Sequence, residues 1–274
     1  MPTKREPDIL WHYCSIDTFK KICENKTLRF SDITKSNDEE EVKYIGKLYN
    51  CFANSHFTEK LIEYYNKYSS KIYCFCLSEL RDNINMWDRY SKNGGFSIGF
   101  DFKKLEDFSK NIYLDINEPQ DSSINLIKVE YENSVISDDL QHKFEEISNI
   151  ARETGKLASG LLREIAGTYK NSFFESESEW RITFWNCIDI CDFLTESLPI
   201  VVSNDKRSDV MFNSFYDLSF DFSMIKEVVI CPFNNFLVSK DDYKKMVENF
   251  IKKNFGVETN IKVSFGNSNY RKGE

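Results

Sequence analysis

The sequence predicts a mixed α+β domain in which helical insertions interrupt a sheet. Three observations predict it. Short apolar runs rich in aromatic residues, each bounded by turn formers, recur from the first residues of the 274-residue chain to its last. Stretches with helical periodicity separate them, near 40–68 and 138–170. With 5 prolines and 10 glycines there is no linker-like tract, so residues 1–274 read as a single domain.

The elements follow in order. Ile9–Cys14 reads as a strand, and Ser15 as the N-cap of a helix running to about Glu24, with Phe19 and Ile22 on its apolar side. Leu28–Ser31 is a second strand, and Lys35–Glu40 is polar and turn-rich. Val42–Tyr68 carries helical periodicity with a break near Asn54–Ser55. Lys71–Ser78 is a buried strand, Met86–Tyr90 one or two helical turns, and Asn93-Gly94-Gly95 a turn before a strand over Phe96–Asp101. Ile127–Tyr131 reads as a strand and Asp138–Tyr169 as two helices with Gly160 or Gly167 inside. Glu179–Asn186 and Ile225–Cys231 are strands. Ser239 caps a helix over Asp241–Phe255, closed by Gly256, and Ile261–Phe265 is a last strand.

Hydrophobic residues at 41% and aromatics at 15% place the chain among globular proteins. A net charge of −8 argues against a general binder of nucleic acid or anionic membrane, though it leaves room for a local basic groove around Lys20, Lys21, Lys26 and Arg29. The N-terminal MPTKREPDILWHY lacks a signal-peptide core and no run reaches membrane-spanning length, so the expected location is cytoplasmic, without membrane partners. Of the eight cysteines, Cys14, Cys23, Cys74, Cys76, Cys187 and Cys231 lie in apolar runs, as packing thiols do. Cys187 and Cys191 have no neighbouring histidine to complete a zinc site, and no metal is expected.

Three places carry candidate chemistry. His12, between Trp11 and Tyr13, reads either as a ribose-binding group or as a core histidine satisfied by a backbone carbonyl, whereas His56 and His142 lie in polar helical surroundings. In Glu175-Ser176-Glu177-Ser178-Glu179-Trp180-Arg181, strand alternation puts the three carboxylates and Arg181 on one face. Three stacked carboxylates repel one another, so they are either a solvated strand start or arranged to hold a cation or hydroxyls; one of them could stabilise an oxocarbenium-like centre. In Met86–Tyr90, Trp87 and Tyr90 share a helical face suited to packing or to stacking on a flat ring. Gly94-Gly95 has no phosphate-loop pattern, and no GxSxG or HExxH occurs.

Taken in order, LWHYCSIDTFKKICENKTLRFSD, SNDEE, CFCLSE, MWDRY, GGFSIGFD, VEY, ESEWR, IKEVVICP and the tail SFGNSNYRKG resemble a bacterial domain family of unknown function grouped with ADP-ribosyltransferase-like folds. The family's Asn-Asp-Pro-Glu is Asn37-Asp38-Glu39-Glu40 here, and its Thr after His-Tyr is Cys14. The resemblance implies an ADP-ribosyltransferase-like mixed sheet with NAD as substrate. His12 and Ser15 would contact its adenosine-side ribose with Tyr13 packed alongside, Arg29 its pyrophosphate, and Trp87 or Tyr90 its nicotinamide. Glu179, or Glu177 in another register, would be the catalytic carboxylate, oriented by Arg181. The implied activity is ADP-ribosyl transfer to a protein or nucleic-acid acceptor, as in a toxin or phage-defence effector. NAD hydrolysis and non-enzymatic nucleotide sensing or partner binding stand beside it.

Overall fold

The computed structural model describes residues 6–33, 72–91, 94–115, 125–133, 136–154, 159–185, 201–203, 213–234 and 236–267. The helix expected over 42–68, the Ser36–Glu40 motif, His56, Cys187, Cys191 and the residues after 267 lie outside them.

The expected α+β architecture is present. The strands are β1 (Ile9–Ser15), β2 (Thr27–Asp32), β3 (Ile72–Ser78), β4 (Gly95–Asp101), β5 (Asn125–Lys128), β6 (Glu130–Glu132), β7 (Tyr169–Asn171), β8 (Glu179–Trp185), β9 (Val201–Ser203), β10 (Asn213–Ser219), β11 (Ile225–Ile230) and β12 (Lys262–Phe265). The helices are α1 (Ile16–Asn25), α2 (Ile84–Tyr90), α3 (Phe102–Asp115), α4 (Asp138–Thr154), α5 (Ser159–Thr168) and α6 (Lys240–Phe255).

Among the described residues ten strands form one mixed sheet in the order β12-β11-β4-β1-β3-β2-β10-β9, with β8 on β3 and β5 on β8. The β11–β12 pair is parallel and the other ladders of this sheet are antiparallel. Separately, β6 and β7 form a short parallel pair.

Capping residues set the helix ends. Ser15 Oγ accepts from Thr18 N–H at 3.2 Å and starts α1. Ser239 Oγ accepts from Asp242 N–H at 3.1 Å and starts α6, which Gly256 closes at φ 101°. The two helices pack on one face of the sheet: Phe19, Ile22 and Cys23 of α1 and Val247, Ile251 and Phe255 of α6 join Leu10, Phe75, Phe96, Ile98 and Phe100 in the main core. On the opposite face, α2 brings Met86 and Trp87 against Trp11, Tyr13, Val229 and Cys231. The Trp11 indole lies so close to Gly99 that a Cβ there would sit 2.6 Å from it.

The sequence reading missed α3, β7, β9 and β10, and carried its helical stretch into Tyr169, where β7 begins. In β10, NSFYDLS is mostly polar, yet Phe215 and Tyr216 are both buried because the strand lies between β2 and β9. The Ile127–Tyr131 strand divides at Val129 into β5 and β6, since Val129 N–H turns to donate to the Glu179 carbonyl at 2.9 Å.

One feature of the sheet positions the site. Along one edge, β3 pairs with β8 over its whole length, from Ile72↔Trp185 to Ser78↔Glu179. Along the other edge two strands share it: β2 takes Tyr73 and Cys74, and β1 meets it at Trp11↔Ser78. From Phe75 to Leu77 that edge therefore lies between two diverging strands, which opens a split in the sheet.

Candidate functional site

His12 fills the split from the β1 side. Its Nδ1 lies 2.9 Å from the Cys76 carbonyl, so this nitrogen carries the proton and Nε2 is left as the acceptor. The ring stacks on Phe75 at 4.4 Å between centroids. The imidazole thus satisfies a carbonyl that faces the gap where β1 has departed, as the core-histidine reading expected. Burial lowers its pKa from 6.5 to about 4, against the opposing effect of the Cys76 hydrogen bond, so the ring is neutral at physiological pH.

This depressed value has a consequence for stability. Between about 4 and 6.5 the unfolded chain holds a proton on His12 that the folded chain does not. The contribution of His12 is therefore level above pH 6.5, and stability falls as pH drops from there toward 4. The expected result is that His12→Asn, which keeps a donor for the Cys76 carbonyl, flattens the stability profile between pH 4.5 and 6.5, followed by urea midpoints (the two limits are roughly the reference carboxylate and histidine values). An unchanged slope would place the proton uptake elsewhere.

The acidic motif is built differently from the expected stripe. Ser172–Glu177 is a 3₁₀ helix and Ser178 is left-handed at φ 44°, so β8 begins only at Glu179. Glu177 therefore leaves the strand, and Glu175 is exposed. The turn at Ser178 nevertheless brings Glu177 and Glu179, 3% and 5% exposed, onto one cation. Lys170 Nζ of β7 donates to Glu177 Oε2 at 2.9 Å and to Glu179 Oε2 at 3.0 Å. Arg181 forks onto Glu179, with Nε 2.8 Å from Oε1 and Nη2 3.0 Å from Oε2, and its Nη1 donates to the Gly167 carbonyl at the end of α5. Arg89 and the Tyr90 hydroxyl of α2 both donate to Glu177 Oε1, the latter at 3.2 Å.

The backbone of Glu179 is clamped as well: its N–H donates to the Tyr131 hydroxyl at 2.8 Å. Burial would raise the Glu179 pKa, but Arg181 and then Lys170 outweigh it and hold the carboxyl below the usual carboxylate range. Burial, and then the Glu177 charge, push the Tyr90 phenol up. Among the described residues the cluster includes the cations Lys170, Arg181 and Arg89 and the carboxylates Glu177 and Glu179. Lys170 and Arg181 are 6% and 1% exposed, whereas the Arg89 side chain is 36% exposed and is the accessible cation of the set.

The structure gathers Tyr90, Glu177, Glu179 and Arg181 around Lys170 on the β8 side of β3, and places His12 on β1 at the other edge of β3, next to the cross-strand row Trp11–Ser78–Glu179 and on the alternate face. Adjacent strands lie about 4.8 Å apart, so this row spans roughly 10 Å. Four other candidates do not present free groups to it. Trp87 is 1% exposed, donates its indole N–H to Asp82 at 2.6 Å and packs edge-on to Tyr13, so it is a core residue rather than a stacking platform. Tyr13 is buried, its hydroxyl donating to the Leu80 carbonyl and accepting from Asn83 N–H. Ser15 caps α1. Arg29 forks onto Asp217 of β10 with both bonds at 2.8 Å and lies over the Phe215 ring, so its guanidinium is already occupied.

Sequence reasoning passed over Lys170, Arg89, Tyr131 and Cys76. Arg89 stands inside the MWDRY run, and only the contact with Glu177 distinguishes it. Lys170 follows a helical pattern and carries no local signal. Cys76 is exposed, unlike the buried Cys14, Cys23, Cys74 and Cys231, which are the packing thiols expected.

Among the described residues no helix is long and apolar enough to cross a membrane. A family model described as a protein of unknown function (DUF2971) matches residues 86–182. The matched span includes Arg89, Tyr90, Tyr131, Lys170, Glu177, Glu179 and Arg181, but not His12 or Cys76. No curated protein and no solved structure matches the chain.

Proposed function

We propose that the split between β1 and β3 binds NAD, and that the chain transfers its ADP-ribosyl group to a protein or nucleic-acid acceptor. The supporting observation is that a neutral imidazole on β1, with Nε2 as acceptor, and an ionised, rigidly held carboxylate on β8 flank the two edges of the same central strand, β3. The reading treats this sheet as an ADP-ribosyltransferase-like core.

In this reading His12 Nε2 accepts from a ribose hydroxyl. Glu179 accepts from the 2′-hydroxyl of the nicotinamide ribose and stabilises positive charge as the glycosidic bond breaks. The bonding pair leaves with nicotinamide, and an acceptor nucleophile closes on the anomeric carbon. Arg181 and Lys170 fix the carboxylate. Tyr90, whose hydroxyl reaches Glu177, takes the contact with the ring that buried Trp87 does not offer.

Arg89 takes the diphosphate role expected of Arg29, because it is the cluster's accessible cation. Arg89→Gln is expected to weaken NAD binding about tenfold and to flatten its salt dependence, measured by calorimetry at two ionic strengths. Equal affinity and an equal salt slope in the variant would remove Arg89 from the site.

The test of the function is incubation of the purified chain with biotinylated NAD and a bacterial lysate. Label in protein or RNA supports transfer. Free nicotinamide without labelled product would replace transfer with hydrolysis, and unconsumed NAD would overturn both. One observation favours a second reading, a non-catalytic nucleotide-binding site: both Glu179 oxygens already accept from Arg181 or Lys170. Saturable NAD binding without turnover would select it.

A further inference from the structure

Strand β3 carries a pair of thiols that the NAD reading does not use. Cys74 and Cys76 stand two residues apart on β3 and share one face, with their Sγ atoms 3.6 Å apart. Cys76 is exposed and Cys74 is buried beneath it, so the pair opens outward through a single sulfur. The partner strands hold its backbone from both sides, through Cys74↔Thr183, Cys76↔Arg181 and Ser31↔Cys74, and His12 holds the Cys76 carbonyl.

We infer that this pair is a two-sulfur binding site for a thiophilic trivalent metalloid, of the class of monosubstituted arsenic(III) compounds. The geometry selects the class. With bonds to sulfur of about 2.3 Å, as in zinc thiolates, sulfurs 3.6 Å apart subtend about 100° at a bridging atom. That is a pyramidal angle, whereas a linear centre would need them about 4.6 Å apart at the same bond length. A disulfide fits less well, because Cα atoms two residues apart on a strand are separated by about 6.6–6.8 Å, the far limit of disulfide spacing.

Among the described residues no three His, Cys, Asp or Glu side chains gather to hold a metal ion. A centre requiring three or four protein ligands is therefore not served here, and one requiring two sulfurs is. The hydrogen bond with Cys74 pushes the Cys76 thiol up, so the pair reacts as thiols, which suits a ligand that leaves an uncharged product. With an aryl arsenoxide both S–H bonds break and two As–S bonds form. The arsenoxide oxygen leaves as water with the two thiol protons, and arsenic stays trivalent. This site is independent of the NAD reading.

The test treats the full chain with phenylarsine oxide, washes it with excess monothiol, which strips singly bound arsenic, and counts retained arsenic by intact mass spectrometry. The expected result is that the count falls by one per chain in Cys76→Ser and in Cys74→Ser, and is unchanged in Cys231→Ser. Because Cys76 is exposed, Cys76→Ser reports on the site without repacking the core. No retained arsenic in the wild-type chain, or an undiminished count in Cys76→Ser, would overturn the proposal.

Discussion

Replacing Arg181 with methionine is expected to lower the unfolding free energy by about 3–5 kcal/mol, the cost of leaving a buried charge without its partner. Arg181 is 1% exposed and supplies two of the three hydrogen bonds that the Glu179 carboxylate receives. Methionine fills much of the volume but offers no proton. Glu179 would then share Lys170 with Glu177, so two buried carboxylates would face one buried cation, with Arg89 reaching only Glu177. The check is the urea midpoint at constant m-value. The double variant Arg181→Met/Glu179→Met should recover part of the loss, because removing both members of a buried pair is much less damaging than removing one. A loss below about 1 kcal/mol in the single variant would mean that the pair behaves as a solvated surface bridge.

Glu179→Gln is expected to reduce transfer of NAD-derived label at least a hundredfold, the scale of losing one electrostatic stabiliser of a transition state. The structure also makes this substitution a stability change. Glutamine keeps an acceptor for Arg181 but removes the charge that compensates Arg181 and Lys170, so the variant should melt at a lower temperature than the parent. Activity is therefore compared well below both melting transitions, with Glu177→Gln alongside. Glu177 binds the same lysine and is equally buried, so it reports what disturbing the network does by itself. A large loss in Glu179→Gln with a small loss in Glu177→Gln supports the assignment. Equal losses would reduce both carboxylates to structural roles.

How much of this was legible beforehand differs by kind of feature. Segments whose fate is decided locally were readable. Ser15 and Ser239 announced two helix starts, Gly256 a helix end, and the apolar runs at β1, β3, β4, β11 and β12 their strands. The pairing of Arg181 with a neighbouring glutamate was also readable, because residues two apart on a strand share a face. Local pattern misled at 175–178, where alternation implied a strand start and the end of a 3₁₀ turn formed instead. Asn171 caps that turn through its bond to Phe173 N–H, and Lys170 draws Glu177 back toward Glu179.

Composition and spacing by themselves determined a mixed α+β chain and its main element types, and singled out His12 and the Glu175–Arg181 run as candidates. Tertiary structure alone decided which of the candidates are accessible. Trp87 and Tyr13 went into the core because α2 folds onto β1, and Arg29 was taken by Asp217, 188 residues away. Lys170 and Arg89 entered the site because β7 and α2 converge on the 3₁₀ turn. The physical reason is the range of the forces involved. Capping and alternation act within a few residues and leave a trace in the local sequence. The partner of a buried charge is whichever opposite charge the fold brings within about 3 Å, and sequence separation does not enter that choice.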